Sequence, residues 1–261
     1  MVNLDELRKK YEQVSKQNSN SGGDFLDKFF MLEKGKSTVR ILPPQEGEQF
    51  YAETAIHRLN DKNYHCPRVS GGKCPVCDTY YDLWKRINQL GKTTPEGKEL
   101  IAVTKAIKAR KRYYMNVIDR RDGSVKILSI GMKLFGKILD TFFDEDYGDL
   151  TDMKGGWDYK IDKEVVGDDY PNYDKSAPRP KATEAGSAQE CEAWLDQRHD
   201  IQGLVKVAEY DVLKELMLPF SNEPNPKTAE EVAQEDASAE GDGEEDYMAS
   251  LKNIDLSNTE D

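Results

Sequence analysis

Residues 57–77 carry the densest chemistry of the chain. They hold His57, His65, Cys66, Cys74 and Cys77, which are three of its four cysteines and two of its three histidines. Cys74-Pro75-Val76-Cys77 is a C-x2-C knuckle, whose tight turn lets two thiolates converge on one ion. Zinc takes four tetrahedral N or S ligands at about 2.0–2.3 Å, so the pair needs two more. Cys66 supplies the third, across a loop that Gly71-Gly72 leaves flexible enough to fold back. The fourth is His57 or His65. Adjacent residues of an extended chain point apart, which disfavours His65 beside Cys66, whereas His57 ends an alternating run and can reach in from a strand. His57 is favoured, and His65 stays open. A disulfide would need an oxidising compartment. A thioredoxin-like pair would place its C-x2-C at the start of a helix in a βαβ unit and has no use for a third Cys and a His. The pattern predicts one structural Zn2+ on His57, Cys66, Cys74 and Cys77, with no position left for water or substrate.

A second informative stretch spans residues 105–133. It holds Lys105, Lys108, Arg110, Lys111, Arg112, Arg120, Arg121, Lys126 and Lys133 against Asp119 and Asp122, a net of +7. Tyr113 and Tyr114 sit among these cations. Cations that track phosphates, interleaved with rings that stack on unpaired bases, are what a single strand of nucleic acid requires. Strand alternation sends the two tyrosines to opposite faces. Tyr113 shares its face with Met115 and Val117, so the pattern buries Tyr113 and exposes Tyr114.

The elements that must position these groups follow from periodicity. Residues 36–42 alternate and stop at Pro43-Pro44, which reads as a strand, and residues 50–56 read as a second. Tyr80, Tyr81, Leu83, Trp84 and Ile87 have helical spacing and are expected to pack on the metal knuckle. Asp122-Gly123 is a hairpin signal, with a return strand over 124–130. Leu134, Phe135, Ile138, Leu139 and Phe142 form the stripe of an amphipathic helix, and residues 157–166 alternate as a further strand. Residues 168–174 read as a turn that exposes Tyr170 and Tyr173, and residues 187–218 read as helical. Cys191 is far from the knuckle and is expected to be a buried thiol.

Of the 261 residues, 37% are hydrophobic and 33% are charged. The net charge of −12 is unevenly spread: residues 221–261 hold thirteen Asp or Glu against two Lys. That segment has Tyr247 as its sole aromatic and is expected to be a disordered acidic tail, with residues 247–256 able to form a short helix on a partner. Residues 1–22 read as an arm, amphipathic through Leu4, Leu7, Tyr11 and Val14 and basic at Arg8, Lys9 and Lys10. The first residues lack an apolar signal core, and no run approaches the about 20 apolar residues that span a bilayer, so a cytoplasmic protein without membrane contact is expected. No nucleophile–base pair, phosphate loop or paired-carboxylate motif is present, and an enzyme is not expected.

A basic arm, a Cys/His knuckle, a basic aromatic hairpin and a detachable acidic tail together resemble the T-even-type bacteriophage single-stranded DNA-binding proteins. The resemblance rests on His57, Cys66, Cys74-Pro75-Val76-Cys77, residues 108–118 and 124–133, and Tyr170-Pro171-Asn172-Tyr173-Asp174. It implies an α+β chain: an OB-fold β-barrel core over 23–220, with a zinc-binding subdomain around 57–90 and flanking helices. It also implies that Arg110, Lys111, Arg112, Tyr113, Tyr170 and Tyr173 line or flank a groove for single-stranded DNA. The arm would serve cooperative self-association along the strand. The tail would recruit phage replication and recombination proteins, in the cytoplasm of an infected bacterial host. The chain departs from the family in shorter ligand spacings, in few tyrosines near 97–104, and in Tyr11 following the basic triplet. The competing reading is a zinc-ribbon-like transcription factor or protein adaptor, which would read duplex DNA or bind only protein.

Overall fold

The computed structural model describes residues 25–166 and 170–218. The arm with Arg8, Lys9 and Lys10, and the tail from 221 on, lie outside the described residues. Among the described residues the architecture is α+β, an antiparallel sheet with five α-helices. The strands are β1 (Gly35–Ile41), β2 (Ala52–Leu59), β3 (Lys62–His65), β4 (Arg110–Asp119), β5 (Val125–Ile130), β6 (Asp158–Val166), β7 (Tyr170–Asn172) and β8 (Ala177–Pro178). The helices are α1 (Pro75–Leu90), α2 (Pro95–Ile107), α3 (Met132–Phe142), α4 (Ala188–Asp196) and α5 (Tyr210–Met217).

β4 is the spine. Its first half pairs with β2, its end pairs with β1, and its other edge pairs with β5 from Tyr113 to Ile118. β1 takes β6 along its second edge. The β4–β5 hairpin forms as its turn residues dictate: Gly123 sits at φ +76°, its N–H bonds Asp119 O at 2.8 Å, and the Asp122 carboxylate accepts from Ser124 N–H and Oγ–H. A second hairpin joins β2 to β3 through Asn60 and Asp61, both at positive φ (49° and 61°), the geometry of a type I′ turn.

β4 is covered on both faces, and this overturns the expectation that its even face meets solvent. Tyr113, Met115 and Val117 point into the main core with Val39, Ile41, Leu134, Ile138 and Tyr159. On the other face Tyr114 packs with Phe29, Ile127 and Ile201, and Ile118 packs with Leu42, Val125 and Ala185. The cover comes from residues 25–29 and 185–205; the continuous helix expected over 187–218 is instead α4, an irregular run and then α5. That run is tied down by a reciprocal pair: Asn116 Nδ2–H donates to His199 O, and His199 N–H donates to Asn116 Oδ1, both at 2.9 Å. Strand alternation was read with one wet face, and the chain supplies a second dry layer.

β1 is fixed by a buried cation. Arg40, at 0% exposure, donates from Nη2 to Asp152 O and Thr183 O at 2.7 and 2.8 Å and faces Asp158 at 3.4 Å. Asp158 also accepts from Arg120 Nε and Nη2 at 2.9 and 2.7 Å. One carboxylate thus serves two guanidiniums, and carbonyls take Arg40 Nη2 and Arg120 Nη1, while the buried Arg40 Nε–H has no partner among the described residues. Most of the buried charge is paired, as burial requires. Among the described residues, no helix is long and apolar enough to cross a membrane.

Candidate metal centre and adjoining cleft

His57, Cys66, Cys74 and Cys77 come together, with their ligand atoms all within 4.8 Å of one another. Four elements deliver them. His57 projects from β2, and Cys66 follows β3 with its N–H bonded to Ala55 O at 2.7 Å. A 3-10 turn (Pro67–Ser70) then reverses the chain at Gly71, whose φ of +78° suits glycine, with Gly71 N–H bonded to Arg68 O. Cys74 caps the N-terminus of α1, and Cys77 lies in its first turn. The knuckle therefore opens a helix. Its position at a helix start does not separate it from a redox pair; the third thiol and the imidazole do.

The spacing fits a tetrahedral ion. Ligands at about 2.0–2.3 Å from zinc lie about 3.5–3.8 Å apart along the edges of a tetrahedron. Here Cys66 Sγ and Cys77 Sγ are 3.6 Å apart, and His57 Nε2 is 3.3 Å from Cys74 Sγ and 3.5 Å from Cys77 Sγ. His57 Nδ1–H donates to Ile107 O at 2.8 Å, a carbonyl at the C-terminus of α2. That bond fixes the tautomer that leaves the Nε2 lone pair for a cation. α2 was missing from the sequence reading. Its signals were present in Thr94 as N-cap, accepting from Gly97 N–H at 3.0 Å, and Pro95 at the first helical position.

Proton competition in the pocket supports the same use. Burial alone pulls the His57 imidazolium down, but the sulfurs of Cys66 and Cys74 outweigh it and raise the pKa to about 9. Hydrogen bonds with Cys66 and Cys77 pull the Cys74 thiol down, whereas those with Cys66 and Cys74, together with burial, push Cys77 up. A divalent cation replaces this contest with three thiolates and one neutral imidazole. His57 and Cys74 are 0% exposed, Cys66 is 2% and Cys77 is 9% exposed, so the buried set could hold one zinc ion. His65 turns elsewhere: its Nδ1 is hydrogen-bonded to Thr54 Oγ1 at 2.7 Å, and burial lowers its pKa to about 4. Cys191 stands apart from the cluster, half-buried, with Sγ–H directed at Gly186 O.

The groups expected at a nucleic-acid surface divide. Tyr113 is buried and stacked on Phe135, with ring centroids 3.7 Å apart and planes 9° apart. Tyr114, which alternation expected outside, is 2% exposed and meets Phe29 edge-on at 6.3 Å. Tyr173 is 3% exposed in the main core, contrary to its expected place on an open turn. Tyr170 lies in β7, and its side chain falls outside the described set. Arg112 is 1% exposed. Arg120 is held by Asp158, Arg121 chelates Asp119 at 2.7–3.0 Å, and Lys126 donates to Asp27 O. The +7 stretch is therefore smaller at the surface than in the sequence. Lys105, Lys111 and Lys133 are exposed, and Lys108 and Arg110 are half-buried.

Part of this set borders a cleft of about 640 Å3 beside the metal centre. Glu53, Lys108 and Lys111 line it from the sheet side, and Arg68, Val69 and Tyr81 line it from the metal side. Lys111 Nζ meets Glu53 at 3.1 Å, and Arg68 Nη2 meets Asp78 at 2.5 Å. The sequence reading missed Arg68 and Tyr81. The signal available was an arginine and a pair of tyrosines within the window of the metal ligands.

A Cys/His cluster on the wall of a cleft edged by cations and tyrosines is a binding architecture, and comparison with known families gives the class as DNA-binding. The chain belongs to the family described as gp32 DNA binding protein like, whose model matches residues 33–221, and so is of the T4 gp32 type of single-stranded DNA-binding protein. That family is a DNA-binding one. No curated protein matches the chain.

Proposed function

We propose that the protein coats and protects single-stranded DNA during phage replication, recombination and repair, with the strand running through the cleft beside the metal centre. The observation that carries this reading is the cleft itself. It is of ligand-site size, about 300–1,000 Å3, and its edge brings Lys108 and Lys111 together with Arg68 and Tyr81. Lys105, Lys108, Arg110 and Lys111 are the DNA-binding side chains under this proposal. Arg112, Tyr113, Tyr114 and Tyr173 act from below as packing that sets the shape of the wall. The sheet is read as an OB-fold, because β4 and β1 each share both edges with other strands, as strands do in a sheet curling toward closure. The zinc ion is proposed to pin β2, β3 and α1 against that sheet. Arg8, Lys9 and Lys10 are proposed to mediate cooperative contact between neighbouring copies on the strand, and the site of action is the host cytoplasm.

The test is a titration with single-stranded and duplex oligonucleotides at two salt concentrations. Single strands should bind more tightly, with little sequence preference, and log K should fall with log salt by about 0.7 per neutralised phosphate. Lys108→Ala and Lys111→Ala should each weaken binding and flatten that slope. Tighter binding to duplex would overturn the proposal in favour of a zinc-ribbon reader of double-stranded DNA.

The tail from residue 221 is proposed to recruit replication and recombination proteins and to compete with DNA at low salt. Its thirteen acidic residues are tethered to a basic cleft and so present at high effective concentration, while their contacts are screened as salt rises. A chain ending at Phe220 should bind single strands more tightly than the full chain at low salt, and the gap should close at high salt. Equal affinities at low salt would leave recruitment as the tail's only proposed role.

A further inference from the structure

The metal side of the cleft carries a group of three residues that the basic-hairpin reading does not use. Arg68 sits in the 3-10 turn between the metal ligands Cys66 and Cys74, and Asp78 and Tyr81 sit in the first two turns of α1. Arg68 Nη2 donates to Asp78 Oδ1 at 2.5 Å, and its guanidinium lies over the Tyr81 ring with Cζ 5.1 Å from the centroid. Arg68 and Tyr81 both line the cleft, across from Lys108 and Lys111. Both partners of the ion pair are solvent-exposed, with side chains at 40% and 54%, so the pair is weakly held and exchangeable.

We propose that Arg68 and Tyr81 form a nucleotide contact on the metal wall of the cleft, with Asp78 holding Arg68 until a DNA phosphate takes its place. The chemistry is an exchange of like for like. A guanidinium binds carboxylate and phosphate through the same fork of donors, so a phosphate in the cleft displaces Asp78 without leaving Arg68 unpaired. As the guanidinium leaves the ring, the Tyr81 face opens to an unpaired base, the other half of a single-strand site. The arrangement also gives the metal a second consequence. Cys66, Cys74 and Cys77 flank Arg68 and Asp78 in the chain, so the ion that fixes those ligands fixes the spacing of the exchange pair. Double-stranded DNA, whose bases are already stacked and paired, has no base to place on Tyr81.

This inference rests on the proposed single-strand cleft, and its test separates the two. Oligothymidylate is titrated into zinc-loaded full-length protein carrying Arg68→Gln, Tyr81→Leu or Asp78→Asn, with zinc content measured on every sample to confirm the fold. Arg68→Gln should weaken binding and make the log–log salt slope shallower by about 0.7. Tyr81→Leu should weaken binding about 5-fold or more with the slope unchanged. Asp78→Asn should tighten binding about 2- to 5-fold at low salt, an advantage that fades at high salt. Wild-type affinity and slope for Arg68→Gln and Tyr81→Leu would overturn the inference, provided Lys108→Ala and Lys111→Ala still weaken binding. Weaker binding by Asp78→Asn would overturn its holding role. A wild-type protein with no preference for single strands would instead sink the cleft reading itself.

Discussion

Cys74→Ser, or prolonged chelation of the wild-type protein, should collapse the part of the structure built from β2, β3, α1, α2 and α5. Three of the four ligands lie inside one apolar cluster: Cys66, Cys74 and Cys77 pack with Leu59, Val76, Tyr80, Leu83, Ile107, Leu213 and Met217. Without an ion, three thiols and an imidazole remain buried with protons to distribute among too few acceptors. Binding free energy at such a site is folding free energy, about 10–16 kcal/mol for structural zinc in small domains, as large as the whole stability of about 5–15 kcal/mol of a typical chain. Zinc analysis of protein purified without chelators should give one ion per chain, and Cys74→Ser should give none, with loss of helical circular dichroism. His57→Ala should behave like Cys74→Ser, whereas His65→Ala should keep its zinc, because His65 serves Thr54. Stoichiometric zinc in His57→Ala and none in His65→Ala would transfer the fourth position to His65. A metal-free wild-type protein with unchanged thermal unfolding would end the idea of a structural ion.

The metal cluster was legible in the sequence because its ligands are few in kind and close in number. Cys and His crowded into a short window have few other uses, and one knuckle supplies two of them at fixed spacing. The hairpin at Asp122-Gly123 was legible for a related reason, since backbone at φ > 0 selects its residues. The hairpin at Asn60-Asp61 obeys the same rule but lay between residues being weighed as ligands, so β3 went unread. α2 was missed because Lys105 and Lys108 were read as part of a cationic run instead of by their periodicity. What the sequence could not convey was the second layer over β4. Alternation reports which residues share a face and is silent on whether that face is wet. Residues 187–218, part of which covers it, were read as helical, and an unbroken helix there would not have delivered His199 to Asn116. The same limit applies to charge. Composition counts Arg112 and Arg120 as surface cations, but Arg112 is buried and Asp158 holds Arg120, while Arg121 stays exposed and paired with Asp119.

Tyr113→Leu should separate a core tyrosine from a DNA-stacking one. The ring lies parallel to Phe135 at 3.7 Å and meets Tyr51 edge-on at 6.1 Å, within a cluster completed by Met115, Ile130 and Leu134. Loss of a buried aromatic of this kind costs about 3–5 kcal/mol when cut to alanine, and leucine recovers part of that by refilling the space. Chemical denaturation of Tyr113→Leu should therefore show a stability lowered by about 1–3 kcal/mol, and Tyr113→Ala should fall further. Affinity for single-stranded oligonucleotides, measured well below the unfolding transition, should stay within about 2-fold of wild type. A ring that stacked on a base would contribute about 1–3 kcal/mol of binding, so its loss would weaken affinity at least about 5-fold. Tyr114→Leu should follow the same course, because its ring is covered by Phe29 and Ile201. A large loss of affinity in either variant, with little loss of stability, would mean that β4 opens to admit DNA and that the two dry layers part when it binds. Stability lost with affinity kept would place the base-stacking burden on rings that reach the cleft, and Tyr81 is the one that lines it with a cation over its face.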